Sequence, residues 1–123
     1  MQYLLMIYSA ESDWDRLTES ERQEKVAAYQ AYTESLRKAD VVVGMNRLQH
    51  TNTATTVRLI DSKPQVLDGP YCDSKEQLAG YYLIDVPNLD AAIAWAARCP
   101  GASHGAMEVR PIWTIPYEAA PTA

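Results

Sequence analysis

The chain predicts an α+β fold, an antiparallel sheet with two helices on one face. Three observations lead there. Residues 2–8 are apolar on both alternating faces, Tyr3, Leu5 and Ile7 against Leu4, Met6 and Tyr8, which marks a central strand covered on two sides. Residues 18–21, T-E-S-E, read as a capping box with Thr18 as N-cap and Glu21 at the third helical position, so a helix opens there. Further on, Pro87-Asn88 starts a second helix, with Asn88 as N-cap and Asp90 suited to the positive N-terminal dipole.

The remaining elements fall between these anchors. The first helix puts Val26, Tyr29, Thr33 and Leu36 on one stripe and runs to Ala39, after a short turn over 12–16. Strands follow at 41–48, with Gly44 at a bulge, and at 54–60, rich in Thr and Val. Asp61-Ser-Lys-Pro64 turns the chain into a short strand at 65–67, giving a hairpin. After D-G-P-Y at 68–71, the D-S-K-E run at 73–76 reads as a small capping box opening one helical turn, and 80–86 as a strand. Leu89, Ala92, Ile93 and Ala96 form the buried stripe of the second helix; Cys99-Pro100-Gly101 ends it, and 106–115 is the last strand. One domain over 1–117 and a frayed tail at 118–123 result.

This order is a ferredoxin-like split βαβ with an inserted hairpin. The second face of its sheet needs a cover, because the first strand is apolar on both sides. The last strand sets Met107, Val109 and Trp113 against Glu108, Arg110 and Ile112. A second copy of the same sheet is the simplest cover, so a homodimer is expected, closed into a barrel or stacked sheet on sheet.

Composition narrows the function classes. A chain of 123 residues, 47% hydrophobic and 22% charged, buries one core and is a soluble, globular, single domain. With no Phe, the aromatic bulk comes from 8 Tyr and 3 Trp, whose polar tips need partners when buried. The net charge of −5, without a Lys/Arg stripe, argues against direct nucleic-acid binding. No apolar run reaches the roughly 20 residues that span a bilayer. Residues 1–11 lack a basic region and a cleavage site and read as a strand, so a cytoplasmic protein is expected. Cys72 and Cys99 are expected as reduced thiols. His50 and His104, the two histidines, fall in loop-like segments, and no metal-ligand spacing, nucleophile motif or glycine-rich phosphate loop occurs, so no metal or cofactor is predicted.

Two groups of residues stand out as candidate sites. In D-G-P-Y, Asp68 caps a turn, Gly69 takes a conformation closed to other residues, and Pro70 stiffens the exit. The same rigid loop could instead present Asp68, Tyr71 and Lys75 at the mouth of the open sheet face. The second group is Arg58, Glu108 and Arg110. If their strands neighbour each other, the two arginines could clamp a carboxylate or phosphate; an ion-pair network at a sheet surface or dimer seam explains them equally. Tyr3, Tyr8 and Tyr81 could line the same space or belong to the core.

The segments A-T-T-V-R (54–58), D-G-P-Y (68–71), K-E-Q-L-A-G-Y-Y-L-I-D-V (75–86), L-D-A-A-I-A-W-A-A (89–97) and M-E-V-R-P (107–111) together resemble the YCII-related family. They are closest to its DGPF branch, with Tyr71 where Phe is usual. The resemblance implies a dimeric α+β barrel. Some members of the family look like enzymes of aromatic-ring breakdown that use a His-Asp pair, the His lying on or near the first helix. Residues 19–39 contain no His, so that pair is not carried over. Many DGPF proteins resemble companions of extracytoplasmic-function sigma factors.

Two functions are therefore expected. One is binding of a small anionic or phenolic ligand in a cleft at the dimer sheet face, with lyase- or isomerase-type acid-base chemistry. Asp68 would act as base, Arg58 and Arg110 would orient the ligand, and Tyr71, Lys75 and Glu108 would line the site. The alternative is a non-catalytic regulatory protein working with a sigma factor.

Overall fold

The computed structural model of the protein describes residues 1–114. Its elements are β1 (Gln2–Ser9), α1 (Glu11–Asp15), α2 (Glu19–Lys38), β2 (Val42–Arg47), β3 (Thr55–Ile60), β4 (Lys63–Asp68), β5 (Gln77–Asp85), α3 (Leu89–Arg98), α4 (Gly101–His104) and β6 (Ala106–Pro111). A 3-10 turn, Thr51–Thr53, sits between β2 and β3. The main sheet is antiparallel throughout, in the order β2-β5-β1-β6, while β3 and β4 pair only with each other. This is the α+β split βαβ arrangement with an inserted hairpin.

Side-chain alternation decides which face carries the helices. Tyr3, Leu5 and Ile7 of β1 lie opposite Ile84, Tyr82 and Gly80 of β5 and opposite Pro111, Val109 and Met107 of β6. Tyr3, Leu5, Ile7, Tyr82 and Ile84, with Met107 and Val109, meet Tyr32 and Leu36 of α2 and Ala92 and Ala96 of α3 in one core. Leu5, Leu36 and Ile84 are fully buried, each worth about 1.5–3 kcal/mol against exposure.

The helix ends follow their local chemistry. Thr18 accepts from the Glu21 amide while the Glu21 carboxylate accepts from the Thr18 amide, so the box expected at α2 forms. Asn88 caps α3 through the Ala91 amide. At the far end of α2, Asp40 takes a left-handed φ of 56°, its amide reaching Arg37 O while the Val41 amide reaches Leu36 O. That is a Schellman closure carrying an aspartate where glycine is usual. In the hairpin, Asp61 and Ser62 both adopt positive φ, 52° and 64°, the primed geometry that matches strand twist. The register break in β2 falls between Val42 and Gly44, where a bulge was expected.

Several expectations change. Residues 73–76 form no helical turn: Ser74 Oγ donates to Glu76 O and Gln77 Nε2 to Ser74 O, so these bonds hold the segment as an irregular loop and the box expected between Asp73 and Glu76 does not form. Freed of that turn, β5 begins at Gln77 instead of residue 80. On α3, Leu89 and Ile93 are exposed, and only Ala92 and Ala96 of the expected stripe are buried. The small alanines bring α3 close to the sheet and leave the flanking large residues outside. Helix α3 does end at Cys99, as expected, and a further short helix, α4, then opens at Gly101 and carries His104. The last strand stops at Pro111; residues 115–123, with the expected tail, lie outside the described residues. No helix among the described residues is long and apolar enough to cross a membrane.

Candidate functional site

A cavity of about 590 Å³ lies between α2 and the helix-covered face of the sheet, within the size range of small-molecule sites. Ile7, Met45, Gly80 and Tyr82 supply its sheet side; Lys25, Val26, Tyr29, Thr33 and Arg37 line it from α2. The lip is built by Glu11, Asp13 and Trp14 of α1 and by residues 48–50 after β2, with Pro100, Gly101 and His104 closing another side. Two glycines allow the backbone to approach this closely. A Cβ on Gly80 would stand 2.7 Å from Asn46 O, and one on Gly101 would stand 2.8 Å from both Ile7 Cγ2 and the Tyr29 hydroxyl.

Local contacts hold the lip in place. Two guanidinium groups approach the Trp14 ring, Arg47 at 4.5 Å and Arg22 at 5.4 Å from its centroid. Arg22 also donates to the carbonyls of Trp14 and Asp15. The Glu11 carboxylate accepts from the Thr51 amide at 2.7 Å and from Thr51 Oγ1 at 2.8 Å, while the Glu11 amide donates to Gln77 Oε1 at 2.9 Å. His50 Nε2 stands 3.9 Å from Asp15 Oδ1, both side chains partly open to solvent.

The phenols deeper in are not bases. Burial, reinforced by Cys99 and Tyr82 nearby, pushes the Tyr29 and Tyr32 hydroxyls well above the usual tyrosine value. Burial likewise raises Tyr82, against a lowering bond from Thr33, and raises the Cys99 thiol. These groups stay neutral near pH 7. Tyr32 donates to Trp95 O at 2.7 Å, and the Thr33 and Tyr82 hydroxyls bond to each other at 2.8 Å. Other ionisable side chains that line the cavity include Glu11, Asp13, Lys25, Glu34, His50 and His104.

The six residues singled out in the sequence lie elsewhere. Asp68 ends β4, exposed, opposite Thr55, and Gly69 beside it takes φ 106°. The Arg58 guanidinium lies 4.9 Å from the Tyr71 ring centroid. Arg110 pairs with Glu108 on β6, and Lys75 is exposed. The structure thus joins Arg58 to Tyr71 and Glu108 to Arg110. It does not join the two pairs, because β3 and β6 belong to different sheets. None of the six lines the cavity, whereas Tyr81 does and Tyr3 is in the core. Trp14, Arg47, Glu11 and His50 were not found from the sequence. The one usable signal was scarcity: a chain with two histidines sends both to this cavity.

A family model for the YCII-related domain matches residues 1–116. The chain belongs to the YCII-related family. Among curated proteins, an uncharacterised protein of Rhizobium meliloti (strain 1021) is 33% identical over 114 residues, covering 91% of this chain and 92% of that one. Among solved structures, this YCII-family chain resembles the 5-chloro-2-hydroxyhydroquinone dehydrochlorinase of Burkholderia phenoliruptrix, in complex with 2,5-dihydroxybenzoquinone. The TM-score is 0.57 and the identity 14%, over 96% of this chain and 98% of that one. At that identity the likeness is one of fold.

Proposed function

We propose that this YCII-family protein binds a small phenolic or anionic organic molecule in the cavity between α2 and the sheet. The observation that carries this reading is the lip: Trp14, held against Arg47, beside a space of about 590 Å³ that both imidazoles of the chain also line. An indole face suits a planar ring, and a guanidinium suits its ionised oxygen. In this reading an imidazole of the cavity, His50 or His104, moves the proton in acid-base chemistry of the lyase or isomerase kind. That a protein of the same fold holds a dihydroxybenzoquinone supports the choice of ligand class.

The test is a titration with 2,5-dihydroxybenzoquinone, followed by tryptophan fluorescence and calorimetry. Saturable binding that Arg47→Ala weakens at least about tenfold, on the order of 1.4 kcal/mol, is expected. Binding that Arg47→Ala leaves untouched, or no saturable binding of this or related hydroxyquinones, would remove the proposal.

A further inference from the structure

A pair of hydroxyls deep in the cavity holds one hydrogen more than its own bond uses. Thr33 of α2 and Tyr82 of β5 are 9% and 6% exposed, and both line the cavity. Each brings one O–H, and the 2.8 Å bond between them spends a single hydrogen, whichever of the two donates. Among the described residues neither hydroxyl makes a further side-chain bond. A donor left buried without an acceptor costs free energy, and the ligand space is where an acceptor can stand. Burial raises the Tyr82 phenol, so its hydrogen stays in place near pH 7.

One helical turn beyond Thr33, Arg37 lines the same cavity. Its guanidinium is near enough to Tyr82 to lower that phenol in part against the effect of burial. No ion pair among the described residues engages Arg37, although Glu34 lines the cavity from the same helix. A guanidinium and a hydroxyl side by side suit the two oxygens of a carboxylate. Trp14 marks the other end, since Arg22 at the start of α2 donates to its carbonyl. The α2 lining runs from Lys25 to Arg37, about 18 Å along the helix axis, which is longer than a single aromatic ring. A ligand that touches both ends therefore carries an arm.

We propose that the inner end of the cavity is a carboxylate subsite, in which Arg37 and the Thr33–Tyr82 hydroxyl pair hold the acid group of an aromatic ligand whose ring lies against Trp14. The inference rests on the reading that the cavity takes a phenolic or anionic molecule. It narrows that class to phenols with a short carboxylate-bearing arm. Arg37 is then the residue that selects the acid, while Trp14 and Arg47 select the ring.

The test is calorimetric titration of the full chain with para-hydroxyphenylpropanoate, with para-ethylphenol, which keeps the ring and arm but lacks the acid, and with 2,5-dihydroxybenzoquinone. The propanoate should bind at least about tenfold more tightly than para-ethylphenol. Arg37→Gln, at an exposed position, should abolish that preference and leave para-ethylphenol binding unchanged. Thr33→Val combined with Tyr82→Phe nearly keeps side-chain volume and should remove part of the preference. Either change alone leaves one hydroxyl able to donate and should do less. Equal binding of the two phenols, or a preference that survives Arg37→Gln, overturns the subsite; saturable binding of the quinone in that case leaves the broader reading of the cavity standing. No saturable binding of any of the three overturns both.

Discussion

The Arg47 guanidinium rests 4.5 Å from the centre of the Trp14 ring, joining the end of β2 to α1 across the mouth of the cavity. The contact should hold α1 in place as well as shape the lip. Cation–π pairs at partly open sites contribute about 0.5–1 kcal/mol. Arg47→Ala should lower stability by that amount in urea unfolding and shift the Trp14 emission to longer wavelength. Arg98→Ala, which removes the guanidinium 4.3 Å from Trp95 instead, should leave the Trp14 component in place. An unmoved spectrum in Arg47→Ala would show that the contact does not hold in solution.

At the end of α2, Asp40 sits at φ 56° in the left-handed region. An L-residue with a Cβ costs roughly 1–2 kcal/mol there, a cost glycine avoids. The Schellman bonds from the Asp40 and Val41 amides depend on the backbone alone, so Asp40→Gly keeps them. The variant should be more stable by up to about 1 kcal/mol, read as a raised urea midpoint with an unchanged slope. A lower midpoint would mean that the Asp40 side chain contributes more than its conformation costs.

Glycines on this fold are not equivalent. A Cβ on Gly101 meets Ile7 and the Tyr29 hydroxyl at 2.8 Å, while one on Gly44 meets nothing within 4 Å. Gly101→Ala should cost about 1–3 kcal/mol through overpacking and push Tyr29 into the ligand space. Gly44→Ala should be neutral or slightly stabilising. Equal thermal midpoints for the two variants would contradict the close approach of α4 to β1.

These contrasts also show what the sequence could and could not reveal. Strand β1 was readable because its two-sided apolar pattern has few alternatives, α2 announced itself through a box that pairs Thr18 with Glu21, and α3 through Asn88 after Pro87. The hairpin came from its turn chemistry. The cavity depends instead on contacts between segments distant in the chain, Trp14 with Arg47 and Glu11 with Thr51, for which no local rule exists. D-G-P-Y drew attention because its chemistry is local and therefore visible. Arg58 and Arg110 looked convergent only while the strand order was unknown; β3 pairs with β4 alone.

Tyr29, Tyr32, Tyr82 and Cys99 all hold their protons more tightly in the folded chain than free side chains do, chiefly because burial penalises their anions. Unfolding returns the tyrosines to about pH 10. Between that value and the raised folded values, the native state binds more protons than the unfolded one, so stability must fall as pH rises. Their contribution is complete below about pH 10 and is lost as the pH climbs through the folded-state values. Urea midpoints should therefore drop steeply above about pH 10, and the tyrosinate absorbance of Tyr29, Tyr32 and Tyr82 should be delayed until the fold is lost, because these three should ionise only with unfolding. Replacing Tyr29 by Phe should reduce the slope of the alkaline decline. Ionisation of Tyr29, Tyr32 and Tyr82 with the fold intact would show that these phenols are open to water.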